Sequence, residues 1–153
     1  MVYEYRELGV KRAYFSAFSA VDGTAFEEKA SQPRWREHRL YQTDWLYREY
    51  EFGSDEIGLA FNDEGLLANS DPKVRIALTA LDSPVDPNVA DYRALIRVPG
   101  IGRRSAYRLV NLRKVEKIWK REQLVKLGVR AGRAMPFLKL NGWAGATLDR
   151  WSQ

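Results

Sequence analysis

A proline and two glycines separate two helical patterns near residue 100, and this feature constrains the fold more than any other in the chain. The stretch is Leu95-Ile96-Arg97-Val98-Pro99-Gly100-Ile101-Gly102-Arg103-Arg104-Ser105-Ala106-Tyr107-Arg108-Leu109. Proline disfavours helical geometry in the residue before it, so a first helix, for which Asn88 is the expected cap, ends there. Gly100 and Gly102 permit a tight turn and positive φ values. The sequence therefore predicts two helices joined by a short hairpin.

The start of the second helix is a predicted anion-binding site. Amides from Gly102 to Ser105 precede the first intrahelical hydrogen bond, so the helix itself does not use them. Such amides bind phosphate, and Arg103 and Arg104 add full positive charges beside them. We expect Ile101 to point inward and Ala106 to allow close packing of the two helices. The alternative is a hairpin that serves only as a structural turn.

This pattern resembles the helix-hairpin-helix motif of DNA repair and processing proteins, since the proline, both glycines and the downstream alanine stand at the family's spacing. The resemblance implies contact with the sugar-phosphate backbone rather than with bases. It assigns these contacts to Val98, Gly100, Ile101, Gly102, Arg103, Arg104 and Ser105. It also implies a monovalent cation on the hairpin carbonyls; we expect no other cofactor.

The pattern recurs 28 positions later in the chain. The aligned pairs are Ile96 with Leu124, Gly100 with Gly128, Ile101 with Val129, Ala106 with Ala134, and Leu109 with Phe137. Leu127 replaces Pro99 and Arg130 replaces Gly102, so we expect a looser second turn. Its expected contacts come from Gly128, Arg130, Gly132 and Arg133. The resemblance implies a tandem unit that grips both strands of a duplex; the alternative is a second copy that only completes the core.

The charge of the chain is divided sharply along its length. Residues 1–90 carry 10 Lys/Arg and 16 Asp/Glu, a net charge of −6, whereas residues 91–153 carry 15 and 4, a net charge of +11. A basic half of this kind is typical of nucleic-acid-binding proteins. The alternative is a solvated basic face without a partner.

A wider resemblance covers most of the chain. The segments that carry it are Ser16–Phe18, Arg36–Leu46, Asp71–Lys73, Pro84–Asp86 with Asn88, Val98–Ala106, Leu127–Val129 and Arg133–Ala134. In order and spacing they resemble the C-terminal portion of DNA modification and repair radical-SAM proteins. Those proteins carry an N-terminal barrel with a three-cysteine cluster motif, and this chain contains no cysteine. The resemblance implies either a piece of such a protein or a standalone relative that kept the DNA-binding end.

The predicted fold is mainly α. We expect an N-terminal helical lobe over residues 1–85 and a tandem helix-hairpin-helix domain over residues 86–153. The lobe is predicted to contain a remnant strand at Arg12–Phe18, a helix from Pro33 that stops by Gly53, and a helix over residues 72–80. Residues 1–20 resemble the end of the radical-SAM barrel.

Several kinds of function are excluded or disfavoured. Without cysteine the chain cannot hold an iron–sulfur cluster, so we expect no enzymatic activity from it alone. A glycosylase is disfavoured because the stretch after the hairpin, Asn111 to Gln123, contains no aspartate. We expect His38 to be a packing residue, and Trp35, Trp45 and Trp119 to lie in the core rather than stack on bases. Trp143 and Trp151 are open to either role.

The expected partner is double-stranded DNA, bound without sequence preference. The alternative is an interaction module that docks on a separate radical-SAM barrel subunit and delivers it to DNA. The N-terminal residues carry no signal-peptide pattern and no apolar run is long enough for a membrane span, so we expect a cytoplasmic location without membrane contact.

Overall fold

The computed structural model describes residues 2–140 and the backbone of residues 143–144, and this part of the chain is mainly helical. Its elements are α1 (Val2–Arg6), α2 (Arg34–Tyr50), α3 (Ser54–Gly58), α4 (Pro72–Ala80), α5 (Tyr92–Arg97), α6 (Arg103–Leu112), α7 (Arg121–Lys126), α8 (Ala131–Ala134), a 3₁₀ turn (Met135–Phe137), and the antiparallel pair β1 (Lys139–Leu140) and β2 (Trp143–Ala144). The mainly α fold that the sequence predicts is confirmed. The chain forms two compact units, the first up to Arg75 and the second from Ile76 onward.

The first unit is built on α2, which contacts α3. Proline precedes α2 at position 33, and the helix ends where Glu51 adopts a left-handed φ of 55°. The helix predicted from Pro33 to Gly53 is therefore confirmed, although a glutamate, not a glycine, takes the left-handed position. The core of this unit is small, and its buried residues are Thr43, Asp44, Leu46, Phe52, Ile57, Ala60, Leu67 and Pro72.

The remnant strand predicted at Arg12–Phe18 is wrong, because these described residues form neither helix nor strand. Alternate amides of the segment bond to side chains instead of to a neighbouring strand. Ala13 N–H donates to the Tyr5 hydroxyl at 2.9 Å, and Phe15 N–H donates to the Tyr41 hydroxyl at 3.1 Å. Ala17 N–H donates to Glu37 Oε2 at 3.0 Å. The aromatic-rich composition of this segment is typical of a strand, but side chains of α1 and α2 take the place of a partner strand.

The second unit holds both hairpins. Helix α5 contacts α6, and α7 contacts α8. Val85 pairs with Leu138 in an isolated parallel bridge, through hydrogen bonds of 2.8 Å to Phe137 and 2.9 Å from Lys139. The loop around Val85 is thus tied to the end of the second hairpin, and the compact units divide after Arg75 rather than after residue 85. Residues 145–153 of the predicted domain lie outside the described part of the chain.

The cap expected for the first hairpin helix is a different residue. Asp91, not Asn88, caps α5, because its carboxylate accepts a hydrogen bond from Ala94 N–H at 2.7 Å. The side chain of Asn88 instead forms two hydrogen bonds with the backbone of Ile118. Its Nδ2 donates to the Ile118 carbonyl at 2.9 Å, and its Oδ1 accepts from the Ile118 amide at 2.7 Å. Asn88 and Asp91 both have short polar side chains that can cap a helix, so the sequence alone did not show which of them caps α5.

Candidate nucleic-acid interface

The two hairpin turns have the same φ at their aligned glycine but differ at the residue before the exit helix, where ψ is 171° at Gly102 and 79° at Arg130. Gly100 and Gly128 both have φ of 84°, in the left-handed region that favours glycine. Leu127, which stands in place of Pro99, adopts helical geometry and continues into the turn without proline. The second turn thus has the same φ at its glycine, and the looser turn expected from Leu127 and Arg130 stays a prediction. The sequence repeat with a spacing of 28 residues therefore corresponds to a repeated glycine turn.

The turns are joined directly to each other. The Gly100 carbonyl accepts a hydrogen bond from the Arg130 amide at 2.9 Å, and the Gly128 carbonyl accepts one from the Ser105 hydroxyl at 2.9 Å. The approach is so close that a Cβ on Gly100 would lie 2.6 Å from the Arg130 carbonyl oxygen. A carbonyl of each turn is thus hydrogen-bonded to the other hairpin, and these bonds join the two hairpins into one surface.

The aligned apolar positions of the two copies are buried in both. The buried residues include Ile96 and Leu124, Ile101 and Val129, Ala106 and Ala134, and Leu109 and Phe137. Ile101 points inward and Ala106 is fully buried, as predicted from the sequence. The repeat therefore supplies a shared core as well as two turns.

The N-terminus of α6 lies at the first turn. No side chain caps this ten-residue helix, and its hydrogen bonding begins with Ala106 N–H donating to the Gly102 carbonyl at 2.8 Å. Gly102 itself has φ of −95° and ψ of 171°, so the positive φ proposed for it is wrong. That is extended backbone open to any residue. What glycine provides at position 102 is the absence of a side chain beside the first amides of the helix.

The predicted site residues separate into buried and exposed groups. Val98, Ile101 and Ser105 are buried, so they contribute backbone or internal contacts rather than an outer surface. The Ser105 hydroxyl donates a hydrogen bond to the Gly128 carbonyl. The exposed members are Arg103 and Arg104 at the first hairpin, and Gly128, Arg130, Gly132 and Arg133 at the second.

The second hairpin has a much shorter exit helix than the first. Helix α8 spans four residues before the 3₁₀ turn, and no side chain caps it. A single turn aligns few peptide dipoles, so its N-terminus carries less positive potential than that of α6. Charge at the second hairpin therefore comes from the side chains of Arg130 and Arg133.

Sequence analysis missed one basic residue of this surface. Arg108 extends from α6 to the second turn, where its Nη1 lies 3.5 Å from the Leu127 carbonyl oxygen and would lie 3.4 Å from a Cβ on Gly128. It follows Arg104 by four residues, and that helical spacing was the signal that could have identified it. Arg108 places positive charge beside the second turn.

The tryptophan expectation is wrong at two positions. Trp45 is 53% exposed and Trp119 is 48% exposed, although both were placed in the core. Trp45 lies on the outer side of α2, and Trp119 lies in the loop between α6 and α7. The Trp143 side chain and Trp151 lie outside the described residues.

A charged cluster in the first unit forms around the buried Asp44, with Tyr5 and Arg48 half-buried beside it. Arg48 donates two hydrogen bonds to Asp44 Oδ2, at 2.6 and 3.0 Å, and the Tyr5 hydroxyl donates to Asp44 Oδ1. Burial raises the pKa of Asp44, but the hydrogen bonds from Arg48 and Tyr5 outweigh it, so the pKa of this carboxyl is lowered. Burial and the bond to Asp44 raise the pKa of Tyr5. The cluster ties α1 to α2.

Comparison with protein-family models, with curated proteins and with solved structures finds no match to this chain. In the part of the chain that the structure describes, no three carboxylate or imidazole groups come together as metal ligands. Within the same residues, every helix is too short or too polar to cross a bilayer.

Proposed function

We propose that the chain binds double-stranded DNA without sequence preference, through the paired hairpin turns. The observation that carries the proposal is the uncapped N-terminus of α6, which stands beside Gly102 and the exposed Arg103 and Arg104. Helix amides and flanking arginines together bind a phosphate oxygen. Because phosphates are the same at every step of DNA, this contact positions the protein and reads no bases.

The hydrogen-bonded pairing of the turns supports a two-point grip. The bonds that link Gly100 to Arg130 and Gly128 to Ser105 fix the distance between the turns. A rigid spacing between two phosphate contacts favours one geometry of the backbone, which suits a duplex better than a flexible strand. Arg108 adds charge beside the second turn. The protein acts in this proposal by positioning DNA and not by catalysis, in a repair or modification process.

A monovalent cation at the first hairpin belongs to the same proposal. The Val98 carbonyl accepts one hydrogen bond, from the Ile101 amide at 3.1 Å, and retains a second lone pair. The Gly100 carbonyl is directed to the Arg130 amide of the other turn. Each of these two carbonyl oxygens accepts one hydrogen bond and keeps a second lone pair, so both are proposed ligands of the cation, which would supply positive charge next to the phosphate.

The salt dependence of duplex binding tests the proposal. If four to six phosphates are contacted, the logarithm of the association constant should fall with the logarithm of salt concentration at a slope of about −4 to −5. Fluorescence anisotropy of a labelled duplex of arbitrary sequence measures this slope. A second duplex of unrelated sequence should give the same affinity. Affinity that is independent of salt contradicts phosphate binding.

A second candidate is an interaction module that docks on a separate radical-SAM barrel subunit. The exposed apolar surface near the N-terminus favours it: Tyr14 is 76% exposed, Val21 60% and Phe26 54%. An open groove there is lined by Phe18, Phe26, Lys29, Ala30 and Gln32. Contiguous exposed apolar side chains are typical of interaction surfaces. The proposed docking surface lies in the first unit and the proposed DNA contacts lie in the second. The salt titration of duplex binding therefore tests the DNA contacts and not the docking.

A further inference from the structure

The loop between α6 and α7, residues 113–120, is held in one conformation by buried and polar contacts. Ile118 is fully buried, and the Asn88 side chain forms hydrogen bonds with both its amide and its carbonyl. Gln123 Oε1 accepts from the amides of Trp119 and Lys120, at 2.8 and 2.9 Å. Its Nε2 donates to Glu116 Oε1 at 2.8 Å and to the Lys117 carbonyl at 3.2 Å. A loop with this many internal bonds is pre-organised.

The loop presents an aromatic ring among positive charges. Trp119 is 48% exposed, and Lys117 Nζ lies 5.5 Å from the centroid of its ring. Val115 is 91% exposed at the same loop. The segment from position 113 to position 122 contains five basic residues and two acidic ones: Arg113, Lys114, Lys117, Lys120 and Arg121 against Glu116 and Glu122. Arg113 is used internally, since it donates to the Pro87 carbonyl at 3.2 Å.

The loop lies at the opposite end of the hairpin helices from the turns. Helix α6 starts at the first turn and runs ten residues, about 15 Å, before the loop begins. Helix α7 then returns the chain to the second turn, and the two turns contact each other. The loop surface is therefore separate from the duplex-binding surface.

We propose that this loop binds unpaired nucleotides, with a base stacked on Trp119 and the neighbouring phosphates on the lysines. Base stacking on an exposed aromatic ring within a basic surface is the usual mode of single-strand binding. Lysine is depleted at protein interfaces, so this composition suits a nucleic acid better than a protein partner. The inference rests on the proposed function and adds its substrate class: DNA in which a single strand leaves a duplex.

The experiment compares a blunt duplex with the same duplex carrying an overhang of about 10 unpaired nucleotides, a length within the usual range for single-strand sites. The full chain should bind the overhang DNA about tenfold more tightly, a gain that one stacked base accounts for. Trp119→Ala should abolish this preference and leave the blunt-duplex affinity unchanged. Trp119→Phe should retain part of it. Trp45→Ala, a change at an exposed tryptophan of the first unit, is the matched control and should have no effect.

A second variant tests the loop without altering its ring. Lys117→Glu reverses the charge beside Trp119 and leaves Ile118 and the Gln123 contacts to Trp119 and Lys120 in place, so it should also remove the overhang preference. Equal preference in the parent chain, Trp119→Ala and Lys117→Glu overturns the inference. So does Trp119-dependent binding of a polyglutamate peptide in place of the overhang. Loss of blunt-duplex binding in the parent chain contradicts the proposed function, whereas retained Trp119-dependent binding of the free single strand still supports the loop site.

Discussion

Two glycines of the first hairpin have different structural roles although they stand two positions apart. Gly100 has a positive φ and lies against the Arg130 carbonyl, so both its conformation and its lack of a side chain are required for the turns to meet. Gly102 has extended backbone, which many residues adopt. Sequence alone treats the two as equivalent turn residues, because a φ value depends on contacts with a segment 28 positions away.

Substitution at the two glycines should therefore separate folding from binding. Gly100→Ala should destabilise the protein by about 2 kcal/mol or more, because alanine is strained at positive φ and its Cβ meets the Arg130 carbonyl. Gly102→Val should keep the fold and weaken duplex binding by about fivefold, because its side chain stands before the helix amides. Chemical denaturation and anisotropy measure the two effects. Equal duplex affinity for Gly102→Val and the parent chain would remove the first turn from the mechanism.

Among the elements, α1 depends on the cluster of Tyr5, Asp44 and Arg48. The Tyr5 hydroxyl also accepts a hydrogen bond from the Ala13 amide, and the Tyr5 ring stacks on Tyr47 with 5.8 Å between ring centroids. This helix of five residues has no buried residue of its own. A helix so short is not stable alone, so its position follows from these contacts.

The cluster predicts a pH window for the stability of the first unit. The pKa of Asp44 is lowered on folding, so its contribution is present above the unfolded value of about 3.9 and is lost as pH falls through the folded pKa. The pKa of Tyr5 is raised, so its contribution is complete below about 10 and is lost as pH rises through the folded pKa.

Asp44→Asn should reduce the free energy of unfolding by about 2 kcal/mol at neutral pH, because it removes a buried charge that Arg48 pairs with. The difference between the variant and the parent chain should shrink as the pH falls from about 4 towards the lowered folded pKa of Asp44, because this carboxyl takes up its proton first in the unfolded chain. Thermal unfolding across a series of buffers measures both quantities. A difference that is the same at pH 3 and at neutral pH would show that the charge of Asp44 does not stabilise the fold.

Helices with strong local signals were predicted well from the sequence. The bounds of α2 and α4 follow from proline starts and apolar spacing, and the first hairpin follows from its proline and glycines. The segment 12–18 was misassigned because its amides bond to side chains of distant residues. Asn88 does not cap α5 because its side chain pairs with Ile118, 30 positions away, a contact that no local sequence pattern reveals.

At the scale of the whole molecule, charge and fold divide the chain differently. The net charge changes sign near residue 90, whereas the compact units divide after Arg75. The second unit contains both hairpins and the basic residues around them. Its two turns share the left-handed φ of their glycine and differ in the helix that follows, which is ten residues long after the first turn and four after the second.

The central claim is that the first turn is the principal phosphate contact, and a comparison of two double variants tests it most directly. Arg103→Glu with Arg104→Glu and Arg130→Glu with Arg133→Glu make the same change in net charge, so any effect of overall charge is matched. The measurement is the ratio of their dissociation constants for one blunt duplex at one fixed, low salt concentration. The first variant should bind about fivefold more weakly than the second, because it also opposes the anion site at the N-terminus of α6. A ratio near one would mean that the basic unit acts as a diffuse positive field, and a greater loss in the second variant would assign the principal contact to the other hairpin.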